Sequence, residues 1–317
     1  MEQPTTQVTN HVRVPLVGSL LAVGAGFVWS LGVITAKKSP HADAWQYLVW
    51  RSIGVLIAVE GLSLIRRQGF VLPKAYRSGR GVLLGCFFLW LASIAYVYAL
   101  KTTTAANTSF LASITPLVAV VFARIVLGER LNRITIAAIG LALVGLAVTV
   151  LSDLGAGNMK GNVAALLSAV GFAGYTVCVR TNKERDWSPV LPGYALAMIL
   201  ICGAVTIFHG KTLIPPTRDL IYALAHGAIF IVVGTLLFNL ASRTVAAVAL
   251  TIFALSEYVF APIWAFLFAH ETPRPATLLG GVIVLVAVIG KAVLDARPDW
   301  TQAIEAKFRR SPAAVAN

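Results

Sequence analysis

The chain has 317 residues, of which 58% are hydrophobic and only 12% charged, and its formal net charge is +13. A soluble globular chain is closer to half apolar and a quarter charged, so the composition excludes an ordinary soluble domain. The apolar excess comes in blocks of about twenty residues divided by short polar joints, the pattern of membrane-spanning helices.

In chain order, the sequence predicts ten spans, at 16–36, 45–65, 80–100, 104–126, 134–151, 162–180, 190–208, 219–241, 245–268 and 276–294. The segment 1–15 is polar and lacks the basic start and cleavage site of a signal peptide. It and 295–317 are expected as short tails. Ten crossings place the joints alternately on two faces. The face with both tails collects 18 of the 26 Lys and Arg, the other face 7, and Arg51 lies inside a span. By the positive-inside rule both tails are cytoplasmic. The basic charge thus follows from topology, and no nucleic-acid partner is expected. Cys86, Cys178 and Cys202 all fall within spans and read as small packing residues. No His/Cys spacing suggests a metal site.

The sequence also repeats itself. Shifted by 142 residues, "GCFFLWLASIAYVYALKTTTAA" (85–106) aligns with "GAIFIVVGTLLFNLASRTVAAV" (227–248). The same shift sets "TPLVAVVFARIVLGER" (115–130) on "EYVFAPIWAFLFAHET" (257–272). A slightly larger shift sets "AGFVWSLGVITAKK" (25–38) on "VGFAGYTVCVRTNK" (170–183). An odd number of spans per half means opposite orientations in the membrane. The expected fold is an all-α integral membrane protein of ten transmembrane helices, built as two inverted five-helix repeats, 16–151 and 162–294. Such repeats belong to secondary transporters, with the substrate at the midplane.

The "LGERL" at Leu127 to Leu131, the weaker "AHETP" at Ala269 to Pro273 and the "WRS" at Trp50 to Ser52 resemble the EamA-type branch of the drug/metabolite transporter superfamily. The likeness covers about residues 16–294. It implies a ten-helix transporter of small metabolites, often an exporter, and in bacteria commonly one for amino acids or related compounds. It also implies a multi-pass protein of the bacterial cytoplasmic (inner) membrane. One departure concerns the ninth span: Tyr258 follows Glu257 where the family often has proline, which here comes at Pro262. The fourth span keeps Thr115-Pro116.

Glu257 sits about ten residues from either end of its span, roughly 15 Å along a helix. A charge at such depth costs on the order of 2.5–3.5 kcal/mol. It is a candidate ion-pair partner of Arg51, a ligand for a substrate amine, or a protonation site that couples a gradient to transport. Arg51 is a candidate carboxylate ligand or a structural anchor. Asn107 is a candidate for the cavity wall, Ser113 and Thr115 are more readily back-bonded to their own helix, and Asn239 is a weaker candidate near a span end. Trp29, Tyr96, Tyr175 and Tyr258 are deep aromatics suited to a wall for a flat or apolar substrate. The fifth and tenth spans, with Gly140, Gly145, Gly280, Gly281 and Gly290, read as scaffold or dimer surface.

No nucleophile–base pair, metal cluster or phosphate loop is present in the sequence, so no enzyme and no cofactor is expected, a coupling proton aside. The first reading is a secondary exporter of amino acids or their derivatives, working by alternating access as a monomer or homodimer among membrane lipids. The alternatives are a multidrug or organic-cation exporter and an uncoupled facilitative pore.

Overall fold

The computed structural model describes residues 16–127, 133–151, 159–182, 185–245, 250 and 253–296. Both tails, the "LGERL" motif beyond Leu127 and most of the start of the ninth predicted span lie outside the described residues. All the described elements are helical. They are α1 (Leu16–Lys37), α2 (Ala44–Ile65), α3 (Leu72–Arg77), α4 (Arg80–Thr102), α5 (Ala105–Ala112), α6 (Thr115–Leu127) and α7 (Arg133–Leu151). There follow α8 (Met159–Thr181), α9 (Val190–Phe208), α10 (Thr217–Ala225), a π-helical turn (His226–Ile231), α11 (Val232–Ser242), α12 (Ser256–Ala269) and α13 (Pro275–Ala296).

Among the described residues, seven helical stretches are long and apolar enough to cross a membrane. Three shorter apolar helices, Ile136–Gly145, Ser256–Ala269 and Pro275–Ala287, accompany them. Large side chains such as Phe87, Ile125, Phe208 and Phe266 are exposed around the bundle. In water such a surface would aggregate; against lipid it is the expected exterior.

Local chemistry accounts for the helix ends. Asp43 opens α2 with a reciprocal capping box: its carboxylate accepts Gln46 N at 2.9 Å, and its own N–H reaches the Gln46 side chain at 3.2 Å. Glu60, in the last turns of α2, accepts the Val71 and Leu72 N–H groups at 2.9 and 2.7 Å and so caps the start of α3. The predicted fourth span is broken at Ser113–Ile114. Pro116 has no N–H for the Ala112 carbonyl, and the Thr115 hydroxyl takes that oxygen instead, at 2.7 Å. The ninth span breaks at Leu255 without a proline, where the Tyr258 N–H bonds back three residues to the Leu255 carbonyl at 3.0 Å. The two breaks lie 142 residues apart, at matching places in the aligned blocks.

The packing pairs elements far apart in sequence: α4 with α8, α7 with α13, α2 with α9 and with the π turn, and α1 with α11 and α12. The α5 and α6 helices lean on α8, and α5 on α12. The helices α7 and α13, which cover the predicted fifth and tenth spans, meet each other inside the chain: a Cβ on Gly145 would lie 2.6 Å from the Gly280 carbonyl oxygen, so the contact is backbone on backbone. Gly140 and Gly290 face open space.

Candidate functional site

The broken ninth span explains how a carboxylate sits in an apolar run. Glu257 falls in the first turn of α12, which begins partway through the predicted span. The positive dipole end there favours a negative charge. Glu257 is half-buried. Its open part faces a central cavity of about 80 Å³ between the helices. The buried Tyr96 hydroxyl stands beside the carboxylate but completes no hydrogen bond of proper geometry.

Arg51 lines the same cavity from α2 and is 2% exposed. One guanidinium nitrogen, Nη2, donates to Ser93 of α4, while Nε has no partner. Among the described residues the carboxylates found in ion pairs, Glu271, Asp219 and Asp43, are engaged elsewhere. No ion pair joins Arg51 to Glu257. The arginine's height is set by backbone packing. A Cβ on Gly227 would lie 1.8 Å from the Arg51 carbonyl oxygen, and one on Gly54 2.3 Å from the Leu224 carbonyl oxygen. Only glycines let α2 and the π turn come so close.

His226 opens the π turn, is 3% exposed and lines the cavity near Arg51. Its Nδ1 lies 2.8 Å from the Tyr47 hydroxyl, which donates to Thr35 Oγ1 at 3.0 Å; Thr35 in turn donates to the Gly32 carbonyl at 2.7 Å. A carbonyl only accepts, so the donors must run from His226 through Tyr47 and Thr35 to Gly32. That order places a ring proton on Nδ1; in the neutral ring Nε2 is then an acceptor.

Aromatic rings complete the wall. Trp29 meets Phe172 edge-on, with centroids 5.7 Å apart, and Phe238 lies 5.4 Å behind it. Tyr258 and Tyr96 stand 6.3 Å apart. Five residues singled out from sequence therefore come together here: Trp29, Arg51, Tyr96, Glu257 and Tyr258. Tyr175 and Asn239 pair with each other instead, hydroxyl to amide oxygen at 3.0 Å, and Tyr175 stacks on Phe238 behind the wall. Asn107, 1% exposed, donates to Thr103 Oγ1 at 3.3 Å near the start of α5. Ser113 donates to the Phe110 carbonyl at 2.7 Å, at the break in the fourth span.

Sequence reasoning missed His226, Ser93 and Tyr194, all of which line the cavity. A histidine followed by glycine inside an apolar run was the available signal for the first. Ser93 lies one helical turn from Tyr96, which was a signal for the second. Nothing local marks Tyr194, which reaches the cavity only through the packing of α9 on α2.

The sequence profile of the EamA-like transporter family matches the chain twice, over residues 16–151 and 159–291. The chain is 29% identical over 284 residues to the pseudopaline exporter CntI of Pseudomonas aeruginosa, in two strains, spanning 86% of this chain and 94% of that protein. It is 24% identical over 296 residues to human solute carrier family 35 member G1, spanning 88% of this chain and 80% of that protein. A solved crystal structure at 19% identity shares the fold, with a TM-score of 0.65 over 89% of this chain and 97% of the other.

Proposed function

The chain belongs to the EamA-like transporter family, a multi-pass membrane transporter and not an enzyme, and on that premise we propose that it exports a small amphoteric metabolite such as an amino acid or amino-acid derivative. One observation carries the reading. A buried guanidinium and a deep carboxylate open on one cavity, and neither is paired with the other or with a further opposite charge among the described residues. An unpaired charge in the membrane interior is costly, and a substrate carrying a carboxylate and an amine would offset both. Arg51 takes the carboxylate in its planar fork. Glu257 takes the ammonium group or, in its absence, a proton, and that exchange would couple export to a proton gradient.

The cavity is small beside the roughly 300–1,000 Å³ of ordinary ligand pockets, so loading a substrate requires the helices to part. Two inverted halves rocking about the cavity would do this. Three observations support the arrangement. The family profile matches twice, the span breaks recur 142 residues apart, and the packing pairs exchange when the halves are interchanged, α4 on α8 becoming α11 on α1. The Pseudomonas relative, an exporter by name, supports outward flux and a bacterial inner membrane, and the basic bias supports cytoplasmic tails.

The test is uptake by proteoliposomes of a labelled panel of amino acids, their N-substituted derivatives and organic cations, with and without an imposed pH gradient. Gradient-driven accumulation of compounds bearing both charges supports the reading. Transport of cations lacking a carboxylate would overturn the role of Arg51 and favour a multidrug exporter. Equilibration indifferent to the gradient would make the chain a facilitator.

A further inference from the structure

At the end of the bundle where α1 closes, polar contacts clamp the two halves together. Glu271 bridges two elements of the first half: one oxygen pairs with Lys37 Nζ at 2.6 Å, and the other accepts the Ala105 N–H at 2.8 Å. His270, with φ of 56°, turns the chain back over α12 and aims Glu271 there. Lys37 also donates to the Thr103 carbonyl at 3.0 Å. Asp219, in the first turn of α10 and 1% exposed, accepts the His41 and Ala42 N–H groups at 2.8 Å each. Lys101 holds the same 38–43 loop from α4 through the Ser39 and Ala42 carbonyls.

Beneath this rim lies an apolar layer, Val33, Ala36, Leu48, Leu100 and Ala223, each at most 1% exposed. One residue joins the layers. The ring of Tyr47 lies 4.7 Å from Lys101 Nζ, and its hydroxyl meets His226 at the cavity wall. We propose that the Glu271–Lys37 and Asp219–loop contacts are the gate that closes the cavity on the face expected to be outside, and that Tyr47 ties the gate to the cavity's occupancy. The Lys37–Glu271 contact suits reversible opening. Lys37 and Glu271 are already 12% and 24% exposed, so when parted their charges return to water, whereas a buried pair would be stranded. A ligand that moves His226 moves Tyr47, and with it the ring beneath Lys101. This rests on the transporter reading but not on any substrate.

The test therefore uses none. A reporter, Ser168→Cys at the cavity wall, is placed in a chain with Cys86, Cys178 and Cys202 replaced by alanine. It is labelled with a membrane-impermeant methanethiosulfonate in vesicles of each orientation. Glu271→Gln, Lys37→Gln and Asp219→Asn should each speed labelling from the gate face by about tenfold, the factor given by about 1.4 kcal/mol in the open–closed balance, with no rise from the opposite face. Unchanged rates in all three overturn the gate. Equal acceleration from both faces means a loosened bundle and overturns it as well. Lys37→Gln leaves the Glu271–Ala105 bond in place, so it reads the ion pair even if Glu271→Gln fails to fold. A chain that passes this test and transports nothing in the panel retains its gate and loses only the substrate reading.

Discussion

Replacing Gly227 with alanine probes the contact that positions Arg51. The new methyl would lie 1.8 Å from the Arg51 carbonyl oxygen, 2.8 Å from the Arg51 carbonyl carbon and 3.0 Å from the Val55 nitrogen. All three are backbone atoms, so no side-chain rotation relieves the clash. Reaching ordinary contact near 3.4 Å requires α2 and the π turn to separate by about 1.5 Å, against close packing that resists such shifts. Overpacking of this kind costs about 1–3 kcal/mol, or roughly 2–12 °C in the midpoint at 2–4 °C per kcal/mol. Gly61→Ala is the control: it lies in α2, the helix that carries Arg51, its Cβ meets nothing within 4 Å, and alanine is the better helix former by about 1 kcal/mol. Thermal unfolding in detergent, followed by export in proteoliposomes, should show Gly227→Ala less stable and impaired and Gly61→Ala at least as stable as the parent. If the two variants melt together, glycine is not what sets the height of Arg51.

Arg51→Gln and Glu257→Gln should each weaken substrate binding by the 2–5 kcal/mol typical of truncating one member of a buried charge pair, read as a rise of about thirtyfold or more in half-saturating concentration. Normal export by Glu257→Gln at every pH would remove both its ligand and its coupling roles. Tyr175→Phe should cost about 1 kcal/mol of stability through the lost bond to Asn239 yet leave the substrate profile unaltered, because the ring lies behind Phe238; an altered profile would place Tyr175 in the site. Burial raises the Asp43 carboxyl, but hydrogen bonds from Lys211 and the Gln46 N–H, with the Lys211 charge, outweigh it and hold the group below its ordinary 3.8. A depressed carboxylate contributes stability that is present above its unfolded value and lost as pH falls through the folded one. Because Lys211 is more than half exposed, that contribution is well under 1 kcal/mol, so Asp43→Asn should lower stability at neutral pH by no more than that small amount and flatten the acid limb below about pH 4, where the variant and the parent converge.

Much of this was written along the chain. Length and apolar period determine where helices fall, because in lipid every backbone group must be satisfied within its own segment, and the predicted spans meet the observed helices within a few residues wherever both are described. The repeat marked matching positions, and Glu257 was conspicuous because a carboxylate in an apolar run has few inexpensive explanations. What the linear order could not show was where each side chain lands once the halves interlock. The break at Leu255 carries no proline, so nothing local announced that Glu257 begins a helix. Tyr175 and Trp29 looked equivalent, yet Tyr175 packs against Phe172 and Phe238 away from the cavity while Trp29 remains on its wall. His226 gained its place only through Gly32, Gly54 and Gly227, whose missing side chains let α1, α2 and the π turn touch. Glu271 became a bridge only when α12 brought it to Lys37 and Ala105, residues far away in the chain. Helix formation in a membrane depends on neighbours a few residues apart, whereas a cavity and its seal depend on close contacts between different helices, many of them more than a hundred residues apart, and those were decided only by the packed bundle.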